Sequence, residues 1–138
     1  MRDARVKQVA VVLAVALLPV ALAIAPATAQ VSSLAMLDRL ERGEWQIRLR
    51  DQGEQRRICL RSGYELVQLR HRQGGCSRYV VEDNAGAVTV QYSCPGDGYG
   101  RTSIRRESGT LVQIESQGIA DGRPFQFTAE ARRVGACR

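Results

Sequence analysis

The sequence predicts a mainly β fold, a single antiparallel meander of about seven strands curled into a sheet or a small open barrel. Three observations indicate this fold. Apolar and polar residues alternate in short runs, as they do from Trp45 to Arg50. Turn residues separate these runs at short intervals, which is typical of an all-β meander. All four cysteines lie beyond residue 29, which predicts a small domain cross-linked by two disulfides.

Residues 1–29 are interpreted as a cleaved secretory signal peptide. A basic start that contains Lys7 precedes an apolar run over 9–24, and Ala27-Thr28-Ala29 is a small-x-small cleavage pattern that would leave Gln30 first. The alternative is an uncleaved membrane anchor, because the apolar run nearly reaches spanning length. We expect a periplasmic or secreted protein with no membrane attachment after cleavage.

The charge of the exported part argues against nucleic-acid binding. After residue 29 the chain has 17 arginines, 13 acidic residues and no lysine. The arginines are spread along the chain among carboxylates, whereas nucleic-acid binders more often concentrate basic residues beside aromatic ones. The sequence also offers no cofactor motif, and we expect a monomer.

The spacing of the cysteines favours disulfides over a metal site. Cys59, Cys76, Cys94 and Cys137 are separated by 17, 18 and 43 residues. A four-cysteine zinc site is the alternative, but its ligands normally come as close C-x-x-C pairs. Redox catalysis by cysteine also normally uses a close C-x-x-C pair, which this sequence does not have. We therefore predict two structural disulfides and no metal ligands.

Two short helices are predicted before the main meander. The first falls within residues 30–42, over Ser33–Arg42, because its leucines recur every three residues and a glycine follows. The β-domain then begins at residue 43, with strands over 44–50 and 55–60. The second helix starts at Ser62, which has Glu65 three residues later in the form of a capping box, and runs to the glycines at 74–75.

A hairpin over residues 76–94 fixes the predicted disulfide pairing. If Ala85 is its centre, Cys76 faces Cys94 and Arg78 faces Tyr92. Opposed β-carbons in such a pair are about 4.5–5.5 Å apart, which a small twist brings within disulfide range. By elimination Cys59 then bonds Cys137. Later strands are predicted over 99–107, 110–117 and 125–133, with a loose connection over 120–124.

The same alternation predicts which side chains face the core. The predicted core face carries Val80, Val88, Val90, Tyr92, Val112 and Ile114. Arg78, Arg101 and Arg105 fall on that face as well. Either these arginines lie at the open ends of a curved sheet and reach water, or they form a cup for an anionic ligand. Arg78, Tyr92, Arg101 and Arg105 are therefore the candidate ligand-facing residues, although a one-residue slip would invert the faces.

No residue of the sequence indicates catalysis. His71 is the only histidine, and it lies between Arg70 and Arg72 with no orienting carboxylate nearby in the sequence. The glycine-rich run 96–100 joins two predicted strands, whereas a phosphate loop leads into a helix. We predict no catalytic residues, and an enzyme that uses converging carboxylates is the least favoured class.

A family resemblance appears once these features are placed in order. Residues 43–137 resemble the bacterial exported domain-of-unknown-function family 3617, on Gly43-Glu44-Trp45, Arg57-Ile58-Cys59-Leu60, Cys76, Cys94, Thr102-Ser103-Ile104 and the closing Ala131-Arg132-Arg133-Val134-Gly135-Ala136-Cys137. The resemblance implies a periplasmic, mostly antiparallel β-domain with two disulfides. It implies no activity and no catalytic residues.

Three functional classes remain for an exported, disulfide-linked β-domain. The first is a non-enzymatic binding or accessory module that meets a ligand or protein of the cell envelope. The second is an inhibitor of an envelope-attacking enzyme, although a basic inhibitor would repel basic lysozymes. The third is a carboxylate-based hydrolase. The absence of a catalytic motif favours the binding module.

Overall fold

The computed structural model describes residues 34–138, which form one seven-stranded antiparallel sheet. The predicted signal peptide lies outside the described residues. The strands are β1 Gly43–Leu49, β2 Gln55–Leu60, β3 Ser77–Asp83, β4 Ala87–Cys94, β5 Gly98–Ser108, β6 Leu111–Ala120 and β7 Arg123–Gly135. The predicted fold class is confirmed, and every predicted strand is present.

The order of the strands is β2-β1-β7-β6-β5-β4-β3, so that β2 and β3 are the two edges of an open sheet. β1 pairs with β7, which joins the first hairpin to the end of the meander. The segment over residues 61–76 therefore crosses from one edge to the other. It contains the helix α1, Tyr64–Val67.

The core lies between one face of the sheet and the segments 34–40 and 61–76. Alternation along β1 buries Trp45, Ile47 and Leu49, as predicted. The crossing segment adds Leu66, Val67 and Leu69, and the N-terminal segment adds Leu34, Met36, Leu37 and Leu40. Burial of these apolar side chains, at about 25 cal/mol per Å² removed from water, holds both segments against the sheet.

Both predicted helices are shorter in the structure than the sequence suggested. Of the first, residues 30–33 lie outside the described part, and the remainder forms a 3-10 helix only at Leu37–Arg39. The second ends at Val67, well before Arg72. Only half of its predicted capping box forms. The Glu65 carboxylate accepts hydrogen bonds from the backbone N–H and the hydroxyl of Ser62 at 3.3 and 3.1 Å, but the N-cap residue is Gly63, which has no side chain to cap the helix.

Both predicted disulfides are confirmed. Cys59 bonds Cys137 and Cys76 bonds Cys94, with Cα–Cα distances of 5.4 and 4.3 Å. The first bond ties β2 to the residues that follow β7, and the second closes the β3–β4 hairpin. The predicted register holds from Ser77 to Val80, after which a bulge shifts the pairing by one residue.

The prediction that Arg101 and Arg105 face the core is wrong. In the structure Val90 pairs with Thr102, so that Thr102 is buried and both arginines lie on the opposite, exposed face. The reason is the connection between β4 and β5. Cys94 pairs with Gly98, so the loop between the strands has three residues, 95–97. With this odd number, even-numbered residues of β4 pair with even-numbered residues of β5, and the odd-numbered arginines fall on the other face.

Two smaller predictions also need correction. Val80 was expected in the core but is 39% exposed, because β3 is an edge strand and none of its residues is buried. The connection at 120–124 is tight, since Ala120 pairs directly with Arg123. Asp121 and Gly122 both have positive φ, 51° and 71°, which is the geometry of a type I′ hairpin turn.

Candidate ligand-binding cleft

A cleft of about 510 Å³ opens between the two edge strands and the segment that crosses between them. This volume is in the range of small-molecule sites. The polar side chains that line the cleft include Arg57, Tyr64, Glu65, Gln68, Arg72 and Arg78. Three of these six are arginines and one is a carboxylate, so the lining carries a net positive charge.

Arg78 is held in place at one wall of the cleft by Gln68. The side-chain oxygen of Gln68 accepts hydrogen bonds from Arg78 Nε at 2.8 Å and from Nη2 at 2.5 Å. The Arg78 guanidinium also stacks 4.7 Å from the centre of the Tyr64 ring, a cation–π contact. These contacts restrict the guanidinium to one orientation before any ligand arrives.

Gln68 can orient Arg78 because it is itself fixed. Its side chain is buried, and its amide nitrogen donates to the carbonyl oxygens of His71 at 3.2 Å and Gln73 at 3.5 Å. The chain leaves the helical conformation at Gln68, which has φ −112° and ψ 40°. The loop that follows therefore curls around the amide and supplies these carbonyls.

Among the described residues that line the cleft, the one carboxylate is Glu65. It accepts hydrogen bonds from Ser62 and from the backbone N–H of Arg61 at 3.2 Å, which hold it beside the start of α1. Its negative charge offsets part of the positive charge of the arginines. Arg57 does have a partner, an ion pair of 3.2 Å with Glu44, although more than half of its side chain is exposed.

The positive potential also depends on Arg72, the third arginine of the cleft, and on Arg56 beside it. Arg72 lines the cleft, and none of the ion pairs found within residues 34–138 involves it. Arg56 points inward from β2 and donates through Nη2 to the carbonyl of Leu69 at 2.9 Å. Burial, and then the charge of Arg72, lowers the pKa of the Arg56 guanidinium. A bound anion would act in the opposite direction, because negative charge nearby favours the charged guanidinium.

A buried hydrogen-bond network lies behind the cleft. His71 is fully buried, and its Nδ1 is 3.0 Å from the hydroxyl of Tyr92. Thr102 bonds to Ser116 at 2.8 Å and to the carbonyl of Val67 at 2.7 Å, which joins β5 and β6 to α1. Burial raises the pKa of Tyr92 to about 12, although a hydrogen bond with Ser116 acts in the opposite direction.

The structure separates the four candidate residues predicted from the sequence. Arg78 lines the cleft, and Tyr92 lies buried opposite it on β4. Arg101 and Arg105 lie on the other face of the sheet and cannot share this site. One of the three arginines expected in a cup is therefore present in the cleft.

Sequence reasoning missed the other cleft residues. Gln68 lies within a predicted helix and bonds to Arg78, ten residues later, through a loop conformation that no local pattern predicts. Arg72 was expected to stabilise the end of that helix, but the helix ends five residues earlier. His71, expected beside charged neighbours at a helix end, is instead fully buried, and the hydroxyl of Tyr92 lies within hydrogen-bond distance of one ring nitrogen.

The chemistry that these residues offer is recognition of negative charge. Guanidinium groups bind carboxylates and phosphates through paired, charge-assisted hydrogen bonds. Within residues 34–138 there is no group of three or more His, Cys, Asp or Glu side chains placed to hold a metal ion. In the same residues no helix is both long enough and apolar enough to cross a membrane.

Comparison with protein-family models, with curated proteins and with solved structures finds no match to this chain. The resemblance to the exported family noted above therefore stays an expectation based on a few residues.

Proposed function

We propose that this protein is a non-enzymatic binding module of the bacterial cell envelope, whose cleft takes a small ligand that carries a carboxylate or a phosphate. One observation carries the proposal. Arg78 is oriented by a buried glutamine in a cleft where arginines outnumber carboxylates. A guanidinium held in this way loses little conformational entropy on binding.

The cleft is suited to a small molecule because its walls belong to separate parts of the chain. β2, the crossing segment and β3 each contribute a wall, and the disulfides anchor the ends of both edge strands. Neither edge strand can move far without disturbing a disulfide-bonded neighbour. We therefore expect a largely pre-formed site with little change of backbone on binding.

A location in the periplasm is part of the same proposal. Two disulfides among the described residues fit an oxidising compartment. The basic, apolar and small-residue pattern of residues 1–29 adds the expectation of export. Intact-mass measurement of protein recovered from the periplasm tests this step, with a mature chain starting at Gln30 as the expected result.

Thermal unfolding of the exported, oxidised protein tests the ligand class. The probes are citrate and glycerol 3-phosphate, with glycerol as the uncharged control. Selective binding to the folded state raises the unfolding midpoint as the probe concentration rises. We expect this rise for the two anions and its loss in Arg78→Gln.

Arg48→Gln is the matched control, because Arg48 is exposed on β1 and does not line the cleft. Both variants lose one positive charge, so a general charge effect would affect them equally. Equal behaviour of the two variants, or no midpoint shift with either anion, would refute the proposed function.

A further inference from the structure

The exposed face of the sheet, opposite the core, carries a straight row of polar side chains. One residue from each of five adjacent strands is aligned by the strand register, in the order Tyr79, Gln91, Arg101, Gln117 and Gln126. Neighbouring strands are about 4.8 Å apart, so the row extends over roughly 19 Å. This length suits a chain-like ligand better than a compact one.

A groove of about 590 Å³ follows this row. Gln91, Arg101, Gln117 and Gln126 line it, and the backbone of Gly100 and Gly118 is also part of its surface. Gly118 has no room for a side chain, because a β-carbon there would meet the carbonyl of Tyr99 and lie 2.7 Å from the Cα of Gly100. Glycine at this position therefore keeps the strands close together beneath the groove.

The polar groups along the groove are not used by the protein itself. Gln91, Arg101, Gln117 and Gln126 are all exposed. In the described part of the chain none of them has an ion pair or a side-chain hydrogen bond. Each amide offers two donors and an acceptor. The three glutamines, with Arg101 between Gln91 and Gln117, thus present both donors and acceptors along the row, which matches the hydroxyl groups of a sugar.

Two exposed tyrosines lie at or beside this row. Tyr99, 52% exposed, lies two residues before Arg101 on β5 and lines the groove. Tyr79, 72% exposed, is at the β3 end of the row. An exposed tyrosine offers an apolar ring face together with a polar hydroxyl. Such rings can pack against the C–H face of a pyranose while the hydroxyl stays in water.

Charge selects the class of sugar. Arg101 is the only charged residue among the described residues that line the groove. One unpaired guanidinium is too little to bind a nucleic-acid backbone, whose recognition needs many phosphate contacts. It is enough to pair with one carboxylate or phosphate in an otherwise neutral, hydroxyl-rich chain.

From this arrangement we infer that the groove binds an acidic oligosaccharide, with the tyrosines packing on sugar rings, the glutamines bonding hydroxyls and Arg101 pairing with an acidic substituent. The groove is on the opposite face of the sheet from the Arg78 cleft. This binding is therefore independent of the proposed small-ligand site and fails or succeeds separately from it.

Titration of the ¹⁵N-labelled exported protein with hexagalacturonate tests the inference by NMR. Maltohexaose is the neutral probe of equal length, and poly-glutamate is the acidic probe without sugar rings. We expect saturable shifts in the backbone amides of Gln91, Tyr99, Gln117 and Gln126 with hexagalacturonate. Binding of each of the other two probes should be at least ten-fold weaker.

Variants assign the roles of the groove residues. Arg101→Gln and Tyr99→Ala should each weaken hexagalacturonate binding about ten-fold, the effect expected for losing one charge-assisted hydrogen bond or one aromatic contact. Arg105→Gln is the control, because Arg105 is on the same strand and face but outside the groove. Arg78→Gln should also leave this affinity unchanged.

Four outcomes would overturn the inference. They are no binding of hexagalacturonate at millimolar concentration, equal binding of poly-glutamate, equal losses in Arg101→Gln and Arg105→Gln, and shifts confined to the Arg78 cleft. All variants alter exposed side chains, and an unchanged thermal midpoint shows that each one is folded.

Discussion

Replacing Tyr92 with phenylalanine should change how the stability of the protein depends on alkaline pH. Tyr92 is 1% exposed, and its hydroxyl meets Nδ1 of His71 at 3.0 Å. Burial raises the pKa of Tyr92 to about 12, against 10.0 for an exposed tyrosine. The folded protein therefore holds the phenolic proton more tightly than the unfolded chain does.

The sign and size of the effect follow from this difference in pKa. Between pH 10 and 12 the unfolded state loses the proton before the folded state does, so the free energy of unfolding falls with rising pH. The contribution is fully present below pH 10 and is lost as the pH rises through 12. Two pKa units at 1.36 kcal/mol each give about 2.7 kcal/mol.

Urea unfolding at intervals from pH 8 to pH 12 measures this contribution. At pH 8 we expect Tyr92→Phe to be less stable by about 1–3 kcal/mol, because a buried nitrogen of His71 loses its partner. Between pH 10 and 12 the wild type should then lose about 2 kcal/mol more than the variant, because the full difference of about 2.7 kcal/mol is reached only above pH 12. Tyr79→Phe is the control, since Tyr79 is 72% exposed. Parallel pH profiles for the wild type and Tyr92→Phe would refute the argument.

Three further predictions concern stability and are measured by urea unfolding at pH 7. Removing Cys59–Cys137 by double alanine substitution should lower the free energy of unfolding by about 4.5 kcal/mol, and removing Cys76–Cys94 should lower it by about 3 kcal/mol, because the sequence separations are 78 and 18 residues. A larger loss for Cys76–Cys94 would contradict the chain-entropy argument. Gly118→Ala should lower the free energy of unfolding by about 1–3 kcal/mol through overpacking. Gly74→Ala is the control and should leave it nearly unchanged, because a β-carbon there meets nothing within 4 Å; equal effects would contradict the packing described. Thr102→Val should cost about 1–3 kcal/mol, because the carbonyl of Val67 and the hydroxyl of Ser116 both lose a buried partner; a neutral result would show that this network is dispensable.

The strands and the disulfides could be predicted from the sequence because they depend on local signals. Alternation identified β1 through Trp45 and Ile47, and the centre of the hairpin at Ala85 placed Cys76 opposite Cys94. The second disulfide then followed by elimination. These features depend on period and turn position, both of which can be read along the chain.

The faces of the later strands could not be predicted because each depends on the length of one loop. The three-residue connection at 95–97 reversed the assignment of Arg101 and Arg105, since a shift of one residue moves every side chain to the other face. No composition signal distinguishes a loop of three residues from one of two or four in Pro95-Gly96-Asp97-Gly98.

The cleft was only partly predictable for a different reason. Arg78 was expected to face inward because it is opposite Tyr92 in the hairpin, and this pairing is present. Its partner Gln68 comes from a segment that leaves the helical conformation earlier than its capping box and leucines suggested. Contacts between a loop and a distant strand are set by tertiary packing, which the local sequence does not encode.

Anion binding in the cleft can be tested most directly by observing the arginine side chains there while an anion is added. Nε–Hε resonances of arginines can be followed in ¹⁵N-labelled exported protein during titration with citrate and glycerol 3-phosphate. We expect saturable shifts at Arg78 and Arg72, with Arg48 and Arg105 unmoved. Uniform, non-saturating shifts at all four arginines, or no shift at Arg78, would contradict this expectation.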